Sequence, residues 1–453
     1  MNRLTRTAGA LLLLLSLAVV SDASAGSAHV VGPTVISRNT PLPETCDGLR
    51  QDTDTMIAAD PGNRGHLIAT WDVDDHKSNV IATSFDRGKT WKIATVPGVS
   101  KCTAGTSEQV VDPFVAVGAQ GRALFASLPL DVSGFLTNRS ADGGSTWSAP
   151  SPADANAGLT DDLPSVVADP NDPKRAFLTW SHFSYTGDVQ TGGDVRFARS
   201  ADGGKSWSKP VEIHESPEGK AIVESRLQLL SNGTLLDVFG EPPAQPVTAV
   251  QQIYATRSND VGHTWSQPVR IAKVAQSPIL DPDTDKPIYE FCCLYSSATA
   301  PNNDAYLAYT KVAGARSGEV FVARSQNGGR SWAAPRAVVR LPAQTFMPAV
   351  AVADDGVVGV TWYDFRRDEP GDNTLTTDYW FAYSRDRGKH WHQSHLGGPF
   401  DLHSSRRTQR PVGAYEGLAG LEHGFAATFI QAKPQARLGS EDVFFARIAT
   451  PVP

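Results

Sequence analysis

Six near-copies of one eight-residue stretch restrict this chain more than any other feature of it. The first three are Ser84-Phe-Asp86-Arg-Gly88-Lys-Thr90-Trp91, Ser140-Ala-Asp142-Gly-Gly144-Ser-Thr146-Trp147 and Ser200-Ala-Asp202-Gly-Gly204-Lys-Ser206-Trp207. The others are Ser258-Asn-Asp260-Val-Gly262-His-Thr264-Trp265, Ser325-Gln-Asn327-Gly-Gly329-Arg-Ser331-Trp332 and Ser384-Arg-Asp386-Arg-Gly388-Lys-His390-Trp391. Successive tryptophans stand 56, 60, 58, 67 and 59 residues apart. A period of that size means stacked supersecondary units, none able to bury its apolar face alone. The stretch is also good turn chemistry. A short carboxylate accepts backbone N–H bonds, glycine supplies positive φ, and tryptophan packs back onto a sheet.

A short alternating strand leads into each copy, as at 194–200 and 319–325, and another follows, as at 207–213 and 265–271. Upstream lies a hairpin around a polar turn, as at 166–180 and 349–362. Four strands per period make a β-propeller blade. After the sixth copy come one more hairpin, 418–431, and one more strand, 442–447, but no further turn of this kind. Segment 31–36 resembles the strand that follows each tryptophan. The expectation is an all-β, seven-bladed propeller whose last blade is completed by the N-terminal strand, since closure removes exposed sheet edges. A six-bladed ring with an irregular extra hairpin is the alternative.

Residues 1–25 read as a secretory signal: Arg3 and Arg6 precede an apolar run over 8–20, and Ala23-Ser-Ala25 offers a small-residue cleavage site. That leaves 26–453 as a single propeller domain, expected to be exported, soluble and monomeric, with no apolar run long enough to span a membrane. The formal charge is −7, and the signal contributes two arginines against one aspartate. An acidic chain without a basic run argues against a nucleic-acid partner. Four cysteines in an exported chain suggest disulfides. Cys46 and Cys102 precede the first two inner hairpins at matching positions and form a candidate bridge. The adjacent Cys292 and Cys293 are either a vicinal disulfide or buried thiols.

In such a ring the eight-residue turns share a rim with the hairpin turns, so the repeated Asp and Trp residues are scaffold. The opposite rim gathers seven sets of loops over the central channel, where a concave site forms. Those loops are rich in ionisable groups. Blade one supplies Arg50, Asp52, Asp54, Asp72, Asp74, Asp75 and His76; blade two Glu108; blade three Asp161, Asp162 and His182. Blade four brings Glu224 and Arg226, and blade five Glu290, the two cysteines and Tyr295. Blade six brings Arg366 and Arg367, and blade seven Arg406, Arg407, Arg410, Tyr415 and Glu416. A solvated loop charge is the alternative for each one singly.

The repeated turn is the Asp-box, and along nearly its whole length after the signal the chain resembles the sialidase superfamily of Asp-box (BNR-repeat) propellers. Glu224-Ser-Arg-Leu-Gln-Leu-Leu-Ser-Asn-Gly233-Thr-Leu is similar to the stretch carrying that family's base, and Tyr295-Ser-Ser-Ala-Thr to its tyrosine segment. The resemblance implies Glu224 as base, Tyr295 as nucleophile and Asp74 of the first-hairpin loop as acid/base. It further implies a carboxylate clamp of arginines, for which Arg50, Arg226, Arg366 and Arg410 are candidates, with Asp72, His76 and Tyr415 lining the same site. The family's Arg-Ile-Pro stretch is absent, and Phe239-Gly-Glu241 stands where its second arginine belongs.

Two enzyme readings follow. One is a sialidase-like exo-glycosidase acting on sialylated or uronate-containing glycans. The other is a lyase on a uronic-acid polymer, with His76 or His182 and a tyrosine moving protons. A propeller that binds a glycan or protein without catalysis is the third reading. No metal motif occurs and no cofactor is expected, although Asp281-Pro-Asp-Thr-Asp285 could hold a structural Ca²⁺.

Overall fold

The computed structural model describes residues 27–131, 134–154, 161–244, 251–274, 278–289, 295–312, 316–405, 411–433 and 440–451. The signal segment, Arg406, Arg407, Arg410, Glu290, Cys292 and Cys293 lie outside the described residues. Seven four-stranded antiparallel sheets are arranged as a propeller, with almost no helix. Their innermost strands are Thr53–Asp60, Val110–Val117, Asp161–Ala168, Val223–Leu229, Tyr295–Thr299, Thr345–Val352 and Gly417–Leu421. Six blades take their four strands in chain order. The seventh takes three from the C-terminal end, and its outer strand is His29–Val35, paired antiparallel with Ser440–Ala449 from His29↔Ala449 to Val35↔Phe444. The expected closure is therefore the observed one.

The six repeated turns share one hydrogen-bond pattern. In the first, Ser84 Oγ accepts from Gly88 N (2.8 Å) and donates to Asp86 Oδ1 (2.9 Å). Asp86 in turn accepts from Thr90 N and Oγ1 at 2.9 and 2.7 Å. Gly88 and its counterparts Gly144, Gly204, Gly262, Gly329 and Gly388 all have φ between 79° and 86°, which explains the invariant glycine within the repeat. The second strands of blades one, three and six each bury a tryptophan completely (Trp71, Trp180 and Trp362). The core therefore sits between adjacent sheets and leaves the axis open. Cys46 and Cys102 are bonded, tying the segment before blade one to the loop before blade two.

A second repeated device lies on the inner strands. In blades one, two, three, four and six the inner strand slips register against its neighbour over two residues. The first residue of each slip has a left-handed backbone: Asp54, Asp112, Leu163, Glu224 and Met347, with φ from 50° to 55°. Such bulges re-aim a side chain at the cost of local strain. Here they set a ring of equivalent positions at the top of the channel.

Candidate active site

The channel is a cavity of about 390 Å³ lined by the inner strands, with Phe114, Ser165, Arg226, Ser296, Met347 and Tyr415 among its walls. Above it, the bulges and the loop 73–77 assemble an acidic cluster. Asp74, Asp75 and His76 take three successive left-handed conformations, φ 46°, 57° and 67°. That turn folds His76 back so that its Nδ1 lies 2.9 Å from Asp72 Oδ2. Asn79 Nδ2 donates to the other oxygen of Asp72. Asp54 accepts from the backbone N of Ala414, which fixes blade seven against blade one. Across blades two and three, Asp112 hydrogen-bonds Asp162, and Tyr415 Oη donates to Asp112 Oδ1 at 3.4 Å.

Burial pushes the Asp112 carboxyl well above the ordinary range, and Asp162, Asp54 and Asp72 push it further. Adjacent carboxylates in a low-dielectric site cannot all ionise. These neighbours and its burial favour the protonated form of Asp112, which half-buried Asp162 faces. Tyr415 is raised by its own burial, then by Asp112, Asp54 and Asp72. Arg226 supplies the positive charge. It is 9 % exposed, with its guanidinium 4.8 Å from the Phe114 ring centroid and 5.3 Å from that of Tyr415. Its Nη1 is buried without a hydrogen bond, and it has no ion pair among the described residues. The guanidinium therefore lies against two adjacent aromatic rings without a carboxylate partner among the described residues.

The residues expected from sequence separate into two groups. Asp72, His76, Arg226 and Tyr415 come together at the channel mouth, as described. Glu224 and Tyr295 do meet, across blades four and five. The Tyr295 hydroxyl lies 2.8 and 2.7 Å from the backbone oxygens of Val223 and Glu224, so it staples the blade-four bulge. Burial, then the Glu224 charge, raises its pKa far above the ordinary phenol value, which opposes formation of a phenolate. Asp74 accepts from Leu49 N (2.8 Å) and Gln51 N (3.2 Å), so both its oxygens hold the turn that presents His76. Arg366 binds Asp364 through Nε and Nη2 and lies 3.8 Å over the Trp380 ring. Arg50 is exposed on the chain leading into blade one. Neither therefore joins Arg226 in a clamp, and Arg410 lies outside the described residues.

Of the other loop groups, Asp161 is paired with His182 Nδ1 at 2.6 Å, and Glu108 is exposed and pairs with Lys101. Asp281, in the loop that could hold Ca²⁺, spends its oxygens on Asp283 N, Thr284 Oγ1 and His403 Nε2. Asp54, Asp72 and His76 each offer a donor atom within 4.8 Å of the others, close enough to share one cation. Sequence reasoning missed Asp112. The available signal was register: the residue after each left-handed position is proline in Asp112-Pro113, Leu163-Pro164 and Met347-Pro348. A bulge residue needs no ladder N–H, so proline marks it.

No protein-family model and no curated protein sequence matches the chain. Several solved structures are similar to it at low identity. One is a protein of unknown function from Dyadobacter fermentans, at 13% identity and TM-score 0.49, covering 94% of this chain and 100% of that one. Another is Trypanosoma rangeli sialidase in complex with the inhibitor DANA, at 13% identity and TM-score 0.45, covering 79% of this chain. The chain spans 56% of that sialidase's length. A third is the α-L-arabinofuranosidase of Fusarium graminearum with arabinobiose, at 16% identity and TM-score 0.48, covering 75% and 93% of the two chains. Among the described residues no helix is long and apolar enough to cross a membrane.

Proposed function

We propose that this chain is an exported glycoside hydrolase of the Asp-box type, acting at the channel mouth on the end of an acidic glycan. The observation that carries the reading is the cluster of Asp112 and Asp162 beside Arg226 and Tyr415, in which burial and neighbouring carboxylates favour a protonated Asp112. Hydrolysis of a glycosidic bond needs a protonated carboxyl at the leaving oxygen and a second carboxyl about 5–9.5 Å from it, with the reacting sugar between them. Asp112, favoured in its protonated form by burial and its neighbours, donates to the leaving oxygen. Asp162, in hydrogen-bond contact with Asp112, orients that acid, and the second carboxyl comes from the Asp54 and Asp72 side of the mouth. Arg226 takes the sugar carboxylate, which would otherwise be repelled by the aspartates around it. Tyr295 and Asp74 act through position, one holding the bulge and the other holding the His76 turn.

The test is hydrolysis of an aryl α-sialoside, an aryl β-glucuronide and a neutral aryl glucoside by the purified protein and by Asp112→Asn. Cleavage of an acidic substrate but not the neutral one, lost in the variant, is the expected result. Equal cleavage of the neutral glucoside, or full activity in Asp112→Asn, would sink it. The His76–Asp72 and His182–Asp161 pairs favour a second reading, because an imidazole oriented by a carboxylate suits abstraction of the proton α to a uronate. Absorbance from new unsaturated ends in a uronate polymer would identify that reaction.

A further inference from the structure

Away from the channel, where blade seven closes on blade one, the outer strand and the first repeated turn enclose a cleft of about 460 Å³. Its apolar floor includes Phe445, Trp91 and Val31, and its walls carry Arg38, Arg87, Lys89 and Arg447. No aspartate or glutamate lines it among the described residues. None of the four cations makes a side-chain ion pair among the described residues, although Arg38 also borders the neighbouring acidic pocket of Asp47 and Asp52.

The repeat supplies an internal control. The seam between blades three and four is built on the same ring pair: Phe197 and Trp265 sit 5.3 Å apart at 68°, Phe445 and Trp91 5.0 Å apart at 68°. There the lining carries Glu212 as well as Lys209, and Arg199 is bonded to the Val261 carbonyl. The closing seam keeps the scaffold and replaces the mixed charge with cations alone, on a chain whose formal charge is −7. Like charges gathered around one cleft repel unless an anion lies between them.

We infer that this seam is a second binding site, for a short anionic oligosaccharide. The Trp91 indole N–H is directed to the Gly88 carbonyl at 3.2 Å, so what the half-buried ring offers a ligand is its face. An aromatic face flanked by guanidinium and ammonium groups suits a pyranose ring bearing sulfate or carboxylate. The net negative charge of the whole chain disfavours a long, densely charged polyanion at the same place. The site stands apart from the channel and does not depend on the hydrolytic reading.

The experiment is calorimetric titration of the full chain with a sulfated hexasaccharide, an oligogalacturonate of equal length, a neutral hexasaccharide and a single-stranded oligonucleotide of matched charge. One or both anionic sugars are expected to bind with an affinity that falls with salt, and the two arms say whether sulfate or carboxylate is preferred. Measured in the Arg226→Gln background, which silences the channel, Arg87→Ala/Arg447→Ala should weaken binding at least tenfold and the exposed Lys89→Ala by a smaller factor, whereas Arg199→Ala should not. Absence of sugar binding, unchanged affinity in Lys89→Ala and the double variant, or equal binding of the oligonucleotide would overturn the assignment.

Discussion

The place of Asp112 in the ring favours its protonated form. An aspartate in water is ionised at neutral pH, but the blade-two bulge turns this one toward Asp162, Asp54 and Asp72 in a buried site. Replacing it by asparagine keeps the shape and removes the acid, so kcat should fall by about 10²–10⁴ with the unfolding temperature nearly unchanged. Steady-state kinetics beside thermal denaturation check both. Tyr295→Phe should behave oppositely, losing about 1 kcal/mol of stability with kcat kept, because its hydroxyl serves backbone carbonyls and not a substrate. A third residue gives a pH signature. Burial drives Asp237 up to about 7, even though Ser225 and Thr179 donate to it at 2.8 and 3.0 Å. Its folded value lies above the unfolded one, so its contribution is full below about pH 4 and is lost as pH rises toward 7. Asp237→Asn should flatten the fall in unfolding temperature across that window, and an unchanged slope would exclude the residue as its source. The residue scale is also where sequence was least informative. Glu224 and Tyr295 carry a legible motif, yet which atom each presents depends on a left-handed φ and a burial that no local pattern encodes. Asp112, which the bulge brings into the acidic cluster, sits in an ordinary Val-Val-Asp-Pro stretch.

At the level of the element, the repeated turns were readable because their chemistry is local. Ser, Asp, Gly and Thr or Ser at fixed offsets satisfy one another within eight residues, and the same bonds recur in each described copy. The inner-strand bulges were not readable, because a register slip is decided by the partner strand and by the channel. The turn also makes a prediction of opposite sign to Asp237. Bonds from the Thr90 hydroxyl and N–H hold Asp86 at about 2, below its unfolded value, so its contribution exists above about pH 4 and is lost as pH falls through 2. Acid unfolding should therefore be shallower in Asp86→Asn, which accepts the same backbone bond without titrating. The measurement is the unfolding temperature between pH 2 and 5. Glycine at the fifth position is required twice over. In Gly204 a Cβ would meet a left-handed φ of 81° and the Leu124 side chain 2.5 Å away. Gly204→Ala should cost about 1–3 kcal/mol, whereas glycines facing open space should tolerate the same change better.

The whole molecule is held as a ring by contacts between its two ends, and that was visible from counting strands: six complete units, three left over at one end and one at the other. The disulfide adds a covalent tie across a sequence separation of 56 residues, which in a chain-entropy account contributes about 4 kcal/mol. Closure itself rests on His29–Val35, which covers the edge of Ser440–Ala449 and continues into the Ile36 N to Val443 O bond. Removing residues 27–35 leaves the other six sheets intact but uncovers a strand whose N–H and C=O groups then seek a partner. The truncated protein should associate in a concentration-dependent way, and a synthetic peptide of residues 27–37 added in excess should restore the monomer by adding back the strand. Sedimentation velocity with and without peptide measures this. A truncated chain that stays monomeric and equally stable would mean that the ring is held by packing between blades seven and one alone. Rescue by the peptide would instead place the closing energy in the strand pairing, and would predict that the basic seam built on that strand disappears and returns with it.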